Sequence, residues 1–206
     1  MRIGILVETT EAGHYTHIYL DDLEIKDVFF QKKGFQRGKN EVRSANGTQQ
    51  YGWGIRLINR HKTATLGDIC IRNNIIQNVS HTGIKLTGRH LDFKILNNKI
   101  QQSGGPGIQV SRGENGLIRS NHITDSGSHD DSRKWGRGSG MWTWGSSNIL
   151  IEKNHCLNAN GPADSAGIHI DFNCNDIIVQ YNFSANNAGG FIEILGNNYN
   201  NTYRYN

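Results

Sequence analysis

The sequence contains little proline and cysteine and no long apolar run. Only two of its 206 residues are proline and three are cysteine. Cys70, Cys156 and Cys174 are too few and too scattered for a disulfide framework, and no CxxC pair suggests a zinc site, so we expect buried free thiols. No stretch reaches the length of a membrane span, and the N-terminus lacks the features of a signal peptide. We expect a soluble, secreted protein, cut from a longer precursor or freed of its export signal.

Strong net charge is also missing. Lysine and arginine number 22 against 18 acidic residues, which gives a net charge of +4. The cationic residues are dispersed and no phosphate-loop or dinucleotide motif is present, so a nucleic-acid partner is not expected. No Pro-rich or Ser-rich linker divides the chain, and its length suits one core. We therefore predict a single domain over residues 1–206, as part of a longer protein.

The sequence is rich instead in asparagine and in glycine, of which there are 25. These residues stand in a unit that recurs about every 24 to 33 residues, a spacing found in solenoids. Each unit opens with glycine and alternates with a period of two, the pattern of a half-buried strand. The six such segments are GIRLIN from Gly54, GIKLTG from Gly83, GIQVSR from Gly107, GMWTWG from Gly140, GIHIDF from Gly167 and GGFIEI from Gly189.

The second part of each unit is an apolar strand that ends in asparagine. Alignment of these strands places six asparagines in one column: Asn74, Asn98, Asn121, Asn154, Asn182 and Asn206. Three residues earlier stands a second column, which we predict to be an interior stack: Ile71, Ile95, Ile118, Ile151, Val179 and Tyr203. Stacked amides can donate hydrogen bonds from one repeat to the next, which gives the asparagine column a physical reason.

These features predict an all-β fold, a right-handed parallel β-helix solenoid of about six to eight coils. A β-propeller needs about 40 residues or more per blade, and the regularly spaced leucines of leucine-rich repeats are absent. The last asparagine of the column is also the last residue, so we expect this stretch to lack a C-terminal cap. We expect either further coils in a longer protein or a second chain, in a homo-oligomer, that covers the open end.

The segment from Gly140 to Asn198 resembles secreted bacterial β-helix proteins of the pectate-lyase-like superfamily. The resemblance lies in SGMWTWGSSNILIEKN, GPADSAGIHIDFNCNDIIVQYN and FSANNAGGFIEILGNN, about a third of the chain. Because that superfamily includes glycoside hydrolases and polysaccharide lyases, the resemblance implies a carbohydrate partner more firmly than a reaction. His169 stands where the family pattern commonly has its first aspartate, which puts an aspartate pair at this strand in doubt.

Alignment of the Gly-led strands predicts two outward columns. The first contains Arg56, Lys85, Gln109, Trp142, His169 and Phe191, and the second contains Thr87, Ser111, Trp144, Asp171 and Glu193. We expect Trp142 and Trp144 to form an exposed platform for sugar rings, with Gln109 beside it. Asp171 and Glu193, one coil apart at about 5 Å, would have the spacing of a retaining glycosidase. The alternative is that both carboxylates are solvated residues of a polar sheet.

Two long turns are predicted to wall this surface. The first, residues 124–140, supplies Lys134, Trp135 and Arg137 as candidate substrate-binding residues, and the second places Asp164 as a third carboxylate. His169 is a candidate for sugar binding first and for acid–base catalysis second, with an ordinary surface histidine as the alternative. Ordinary solvated loop charges are the alternative for all the loop residues.

Three functions fit these residues. The first is a glycoside hydrolase that uses Asp171 and Glu193 on a plant or algal polysaccharide. The second is a polysaccharide lyase, with His169, Lys134 or Arg137 as base and Ca²⁺ at Asp130 and Asp131. The third is a carbohydrate-binding solenoid without catalysis. We predict no cofactor and no resident metal, except Ca²⁺ in the case of a lyase, and no membrane partner.

Overall fold

The computed structural model of the chain describes residues 3–29, 52–127, 138–161 and 164–206. All regular structure in these ranges is β-strand. The strands are β1 (Ile3–Thr9), β2 (His14–Tyr15), β3 (Ile18–Asp21), β4 (Glu24–Val28), β5 (Trp53–Asn59), β6 (Thr65–Arg72), β7 (Ile75–Val79), β8 (Ile84–Leu96), β9 (Lys99–Ser103), β10 (Ile108–Arg119), β11 (His122–Ser126), β12 (Met141–Trp144), β13 (Ser147–Glu152), β14 (His155–Leu157), β15 (Ile168–Ile170), β16 (Asn175–Gln180), β17 (Phe183–Ala185), β18 (Ile192–Ile194) and β19 (Thr202–Arg204). The described part contains no helix that could cross a membrane.

The strands stack into a solenoid with three faces, and every pairing between them is parallel. The first face runs β1-β5-β8-β10-β12-β15-β18, so seven coils are stacked in the described residues. The C-terminal halves of β8 and β10 continue onto the second face, where they join β2, β3, β6, β13, β16 and β19. The third face runs β4-β7-β9-β11-β14-β17. The predicted parallel β-helix and its number of coils are confirmed.

The core is a set of aliphatic stacks along the axis of the solenoid. On the first face, Ile55, Leu57, Leu86, Val110 and Ile170 point inward and are fully buried, as the alternation predicts. The predicted stack on the second face is in register from coil to coil and is buried except for the half-buried Tyr203 at its end. All three cysteines are free thiols; Cys156 and Cys174 are buried as predicted, whereas Cys70 is half-buried.

The asparagine column forms a continuous ladder at the corner between the second and third faces. The Oδ1 atom of Asn98 accepts hydrogen bonds from the backbone N–H and the Nδ2 of Asn74, at 3.0 and 2.9 Å. The same pair of bonds recurs from Asn98 to Asn121, and on through the column to Asn206. Each amide therefore satisfies buried groups of its neighbour, which is why the column tolerates burial.

The glycines that open the first-face strands are required by close packing between coils. A Cβ atom built on Gly83 would lie 2.6 Å from the carbonyl oxygen of Gly107, and one on Gly54 would lie 2.6 Å from that of Gly83. No side chain fits at such a distance without a shift of the backbone. The glycine column therefore fixes where each first-face strand begins, and with it the position of the outward side chains.

Candidate functional site

The register of the first face joins the candidate residues into one outward column. Lys85 pairs with Gln109, Gln109 with Trp142, Trp142 with His169, and His169 with Glu193. The prediction that Phe191 follows His169 in this column is therefore wrong. The carbonyl oxygen of Phe191 accepts a hydrogen bond from the N–H of Ile168, so Phe191 lies two residues before the position opposite His169. Its ring packs against the Tyr203 ring, with 5.8 Å between the centroids.

Trp142 is not an exposed sugar platform, which corrects that prediction. Its side chain is outward on β12, yet only 5% of the residue is exposed. The indole stacks in parallel on the His169 ring, with 5.7 Å between the ring centroids, and its Nε1 donates a hydrogen bond of 2.7 Å to Oδ2 of Asp171. Gln109, one coil earlier, is equally buried, whereas Trp144 is half-exposed.

Asp171 is the carboxylate whose position is most closely fixed. It follows directly after β15, is 5% exposed, and accepts a second hydrogen bond of 2.7 Å at Oδ1 from the backbone N–H of Phe172. One N–H group is thus directed at each oxygen. An ionised carboxylate has about four acceptor positions, so each oxygen retains capacity for a further donor such as a sugar hydroxyl.

Glu193 and His169 form the next contact of the column. Oε2 of Glu193 lies 3.5 Å from Nδ1 of His169. The His169 residue is fully buried between the Trp142 ring and Glu193, whereas 30% of the Glu193 side chain is exposed. Glu193 is therefore the more accessible of the two carboxylates, and His169 lies between it and the Trp142–Asp171 pair.

The prediction that Asp171 and Glu193 lie directly opposite each other on neighbouring coils is wrong. Since His169 pairs with Glu193, the residue opposite Asp171 on the next coil is Leu195, whose N–H bonds to Ile170. Asp171 and Glu193 are one coil and two residues apart, which corresponds to about 8 Å between their Cα atoms. The directly opposite arrangement on which the spacing of a retaining glycosidase was predicted is therefore absent.

Asp164 lies at the opposite end of β15 from Asp171. It is half-buried, and its backbone carbonyl accepts a hydrogen bond of 2.5 Å from the N–H of Gly138. The remaining loop candidates, Lys134, Trp135 and Arg137, lie outside the described residues, as do Asp130 and Asp131 of the proposed Ca²⁺ site. Among the residues that are described, no group of three or more His, Cys, Asp or Glu side chains is arranged to hold a metal ion.

A depression beside Trp144 was not anticipated from the sequence. It has a volume of about 480 Å³ and is open to solvent. Arg112 lies over the Trp144 ring at 5.5 Å, and Arg60 lines the opposite wall, where it forms an ion pair with Glu8. The depression continues the candidate site toward the N-terminal coils. In the sequence it is marked by Arg60, which follows the segment that begins at Gly54, and by Arg112, which ends the segment that begins at Gly107.

Comparison with known proteins agrees with the fold. The chain resembles the crystal structure of the GH136 lacto-N-biosidase from Eubacterium ramulus, with a TM-score of 0.75 and 19% identity, over 99% of this chain and 36% of that one. Tailspike protein 2 of bacteriophage CBA120 matches with a TM-score of 0.44 and 12% identity, over 96% of this chain and 38% of its own.

The chain thus spans little more than a third of either of these proteins. No curated protein matches it by sequence. The family model described as "Right handed beta helix region" matches residues 53–206, three quarters of the chain. The chain belongs to the right-handed β-helix family.

Proposed function

We propose that the protein is a carbohydrate-active enzyme, a glycoside hydrolase whose reaction takes place on the first face at Asp171. The observation that carries the proposal is the fixed carboxylate of Asp171, which the Trp142 indole and a backbone N–H hold beside the His169–Glu193 contact. A buried carboxylate bound by two N–H donors has a defined direction, which is what attack on an anomeric carbon or activation of a water requires.

Two carboxylates are candidates for the proton donor that such a reaction needs. Glu193 lies on the coil next to that of Asp171, and its side chain is accessible to a leaving-group oxygen. Asp164 approaches the same strand from its other end. Trp142 acts as a positioning residue for Asp171, while the half-exposed Trp144 offers the aromatic surface on which a sugar ring can stack.

The comparison supports the same class of partner. The structure with the highest similarity score of the two is named as a lacto-N-biosidase, a carbohydrate-cleaving enzyme, although the identity of 19% limits the likeness itself to the fold. The sequence resemblance to polysaccharide-active β-helix proteins covers the coils that hold Trp142, His169, Asp171 and Glu193. Carbohydrate is therefore the proposed substrate class, and the sugar and linkage are left to experiment.

A panel of polysaccharides and oligosaccharides tests the proposal. New reducing ends should appear without absorbance of unsaturated uronates, and the activity should be unchanged by a chelator. Asp171→Asn should reduce the rate by about 10²-fold or more, whereas Asp176→Asn, at an exposed corner one strand later, should not. Ultraviolet absorbance that is lost on chelation would show that the enzyme is a lyase and not a hydrolase. Binding without turnover would indicate a carbohydrate-binding solenoid.

The proton donor is identified by the companion variants Glu193→Gln and Asp164→Asn. Loss of activity in the first is the expected result, and the configuration at the anomeric carbon, followed by NMR, distinguishes an inverting from a retaining reaction. Loss of activity in Asp164→Asn together with unchanged activity in Glu193→Gln would instead assign the role to Asp164, at the other end of β15.

A further inference from the structure

On the first-face coils that precede Asp171, several buried polar atoms have no hydrogen-bond partner among the described residues. They are Nε1 of Trp53, Nε of Arg56, Oγ1 of Thr87 and Oε1 of Gln109. Arg56 and Gln109 belong to the same outward column as Trp142, and Thr87 belongs to the next. An unsatisfied buried polar atom opposes folding, so each of these atoms is a position at which contact with a bound polar group would be stabilising.

Arg56 is the charged member of this row. Its Cζ atom lies 3.9 Å from the centroid of the Trp53 ring, and that ring packs on the His81 ring at 4.8 Å. Within the described part of the chain, no carboxylate forms an ion pair with Arg56. Glu8, whose negative charge acts on Arg56, is paired with Arg60. Burial lowers the pKa of Arg56 to about 10, so the guanidinium is still charged at neutral pH.

Charge is distributed unevenly along the first face. Lys85 pairs with Arg56 in the register of the next coil, and Arg112 and Arg60 line the depression beside Trp144. Glu8 on β1 is paired with Arg60, and the carboxylates of the candidate site, Asp171 and Glu193, lie at the other end, on the coils of β15 and β18. Arg56 is four coils from His169, about 19 Å along the axis. A ligand that spans the face would meet cations first and carboxylates afterwards.

We infer that the coils carrying Arg56 and Lys85 form an anion subsite, which binds a carboxylate or sulfate group of an acidic glycan whose chain continues to Asp171. This inference rests on the proposed function and narrows its substrate class. The planar guanidinium of Arg56 can bind two oxygens of a carboxylate or sulfate at once. Trp53, Thr87 and Gln109 add neutral donors and acceptors that suit sugar hydroxyls.

Binding measured by calorimetry tests the subsite without any need for turnover. The probes are four oligosaccharides of equal length: neutral, uronate-containing, sialylated and sulfated. We expect the acidic probes to bind more tightly than the neutral one, with the difference reduced by salt. Comparison of the uronate, sialic acid and sulfate arms identifies which anion the subsite prefers.

The variants are Arg56→Gln and Lys85→Gln, with Lys99→Gln on the third face as the matched control. Arg56→Gln should weaken binding of the preferred acidic probe by about tenfold to a hundredfold and leave binding of the neutral probe unchanged. Lys85→Gln should have a smaller effect of the same sign, and Lys99→Gln none. The indole N–H resonance of Trp53 should shift when the acidic probe is added to the wild-type protein.

The inference is overturned if neutral and acidic probes bind equally, or if Arg56→Gln binds the acidic probe as the wild type does while the Trp53 resonance stays unmoved. Preference for a single-stranded polynucleotide of equal charge over every glycan would also overturn it. Acidic glycans that bind through Arg56 but are not cleaved would leave the subsite in place and refute the proposed hydrolase. The two proposals therefore fail separately.

Discussion

Trp142 illustrates how a single residue changes its role between sequence and structure. Its position in a Gly-led alternating strand places it outside the core, where a tryptophan suggests a binding platform. In the fold its indole is buried and donates to Asp171, so its contribution is to orient a carboxylate. The neighbouring Trp144 is half-exposed and has no such acceptor among the described residues, and it keeps the proposed role of a ring that contacts the ligand.

Substitution Trp142→Phe tests this division of roles. Phenylalanine keeps an aromatic ring against His169 but has no N–H to donate to Asp171. We expect kcat to fall by about tenfold or more with little change in KM. Trp144→Phe is the matched control and should raise KM with a smaller effect on kcat. Equal effects of the two substitutions on KM alone would show that Trp142 binds substrate after all.

Cys156 provides a second test at the residue scale. The thiol is fully buried, and this burial raises its pKa to about 12. At pH 8 the thiolate needed for reaction with a disulfide reagent is therefore scarce in the native state. We expect Cys156 to be unmodified in the folded protein and modified after denaturation, as followed by mass spectrometry of peptides. Rapid labelling of Cys156 in the native protein would contradict its placement inside the solenoid.

The asparagine ladder is the element that links the coils at the corner between the second and third faces. Each rung of it exchanges backbone and side-chain hydrogen bonds with the next, in a site closed to water. Removal of one amide leaves partners unsatisfied on both neighbouring coils. The cost is therefore expected to exceed that of an ordinary surface substitution.

Asn121→Ala should lower the free energy of unfolding by about 3 kcal/mol, from several hydrogen bonds lost and buried groups left without partners. Asn115→Gly is the control, because Asn115 is exposed at a corner with φ of 58°, a conformation that glycine adopts easily. We expect a change of about 0.5 kcal/mol or less there. Urea unfolding followed by circular dichroism measures the free energy of unfolding of both variants. Similar losses in the two would contradict a stabilising role of the ladder.

At the scale of the whole molecule, buried histidines make the fold sensitive to acid. His90 is buried and its Nδ1 is 2.7 Å from the carbonyl oxygen of Gly88, and burial lowers its pKa to about 4. Burial also lowers the pKa of His81 well below the ordinary value. Both rings are neutral in the folded protein near pH 6, whereas in the unfolded chain they gain protons as the pH falls.

Because the folded pKa of His90 is lower than the unfolded one, its contribution is complete above about pH 6.5 and is lost as the pH falls toward 4. The full loss is about 3 kcal/mol. We expect His90→Asn, which retains a donor toward Gly88, to show a flatter decline in stability between pH 6.5 and 4. His61→Gln, at an exposed site, should follow the wild type. Parallel curves for all three proteins would contradict the neutral, buried state of His90.

The repeat was sufficient to predict the solenoid, the asparagine ladder and the aliphatic stacks, because each depends on contacts between equivalent residues one coil apart. Residues that make such contacts occupy the same position in each repeat, so alignment of the repeats shows them as columns. The faces of the strands followed from the alternation for the same reason, as the burial of Leu86, Val110 and Ile170 confirms.

The register of the last coil and the contacts within the site were decided by tertiary structure alone. A shift of two residues at the Gly189–Gly190 pair leaves the same side chains outside, so alternation cannot distinguish Phe191 from Glu193 as the neighbour of His169. The burial of Trp142, its bond to Asp171 and the placement of Arg56 on the Trp53 ring depend on packing between coils of different sequence. Because those contacts do not recur from coil to coil, the sequence contains no pattern from which they could be predicted.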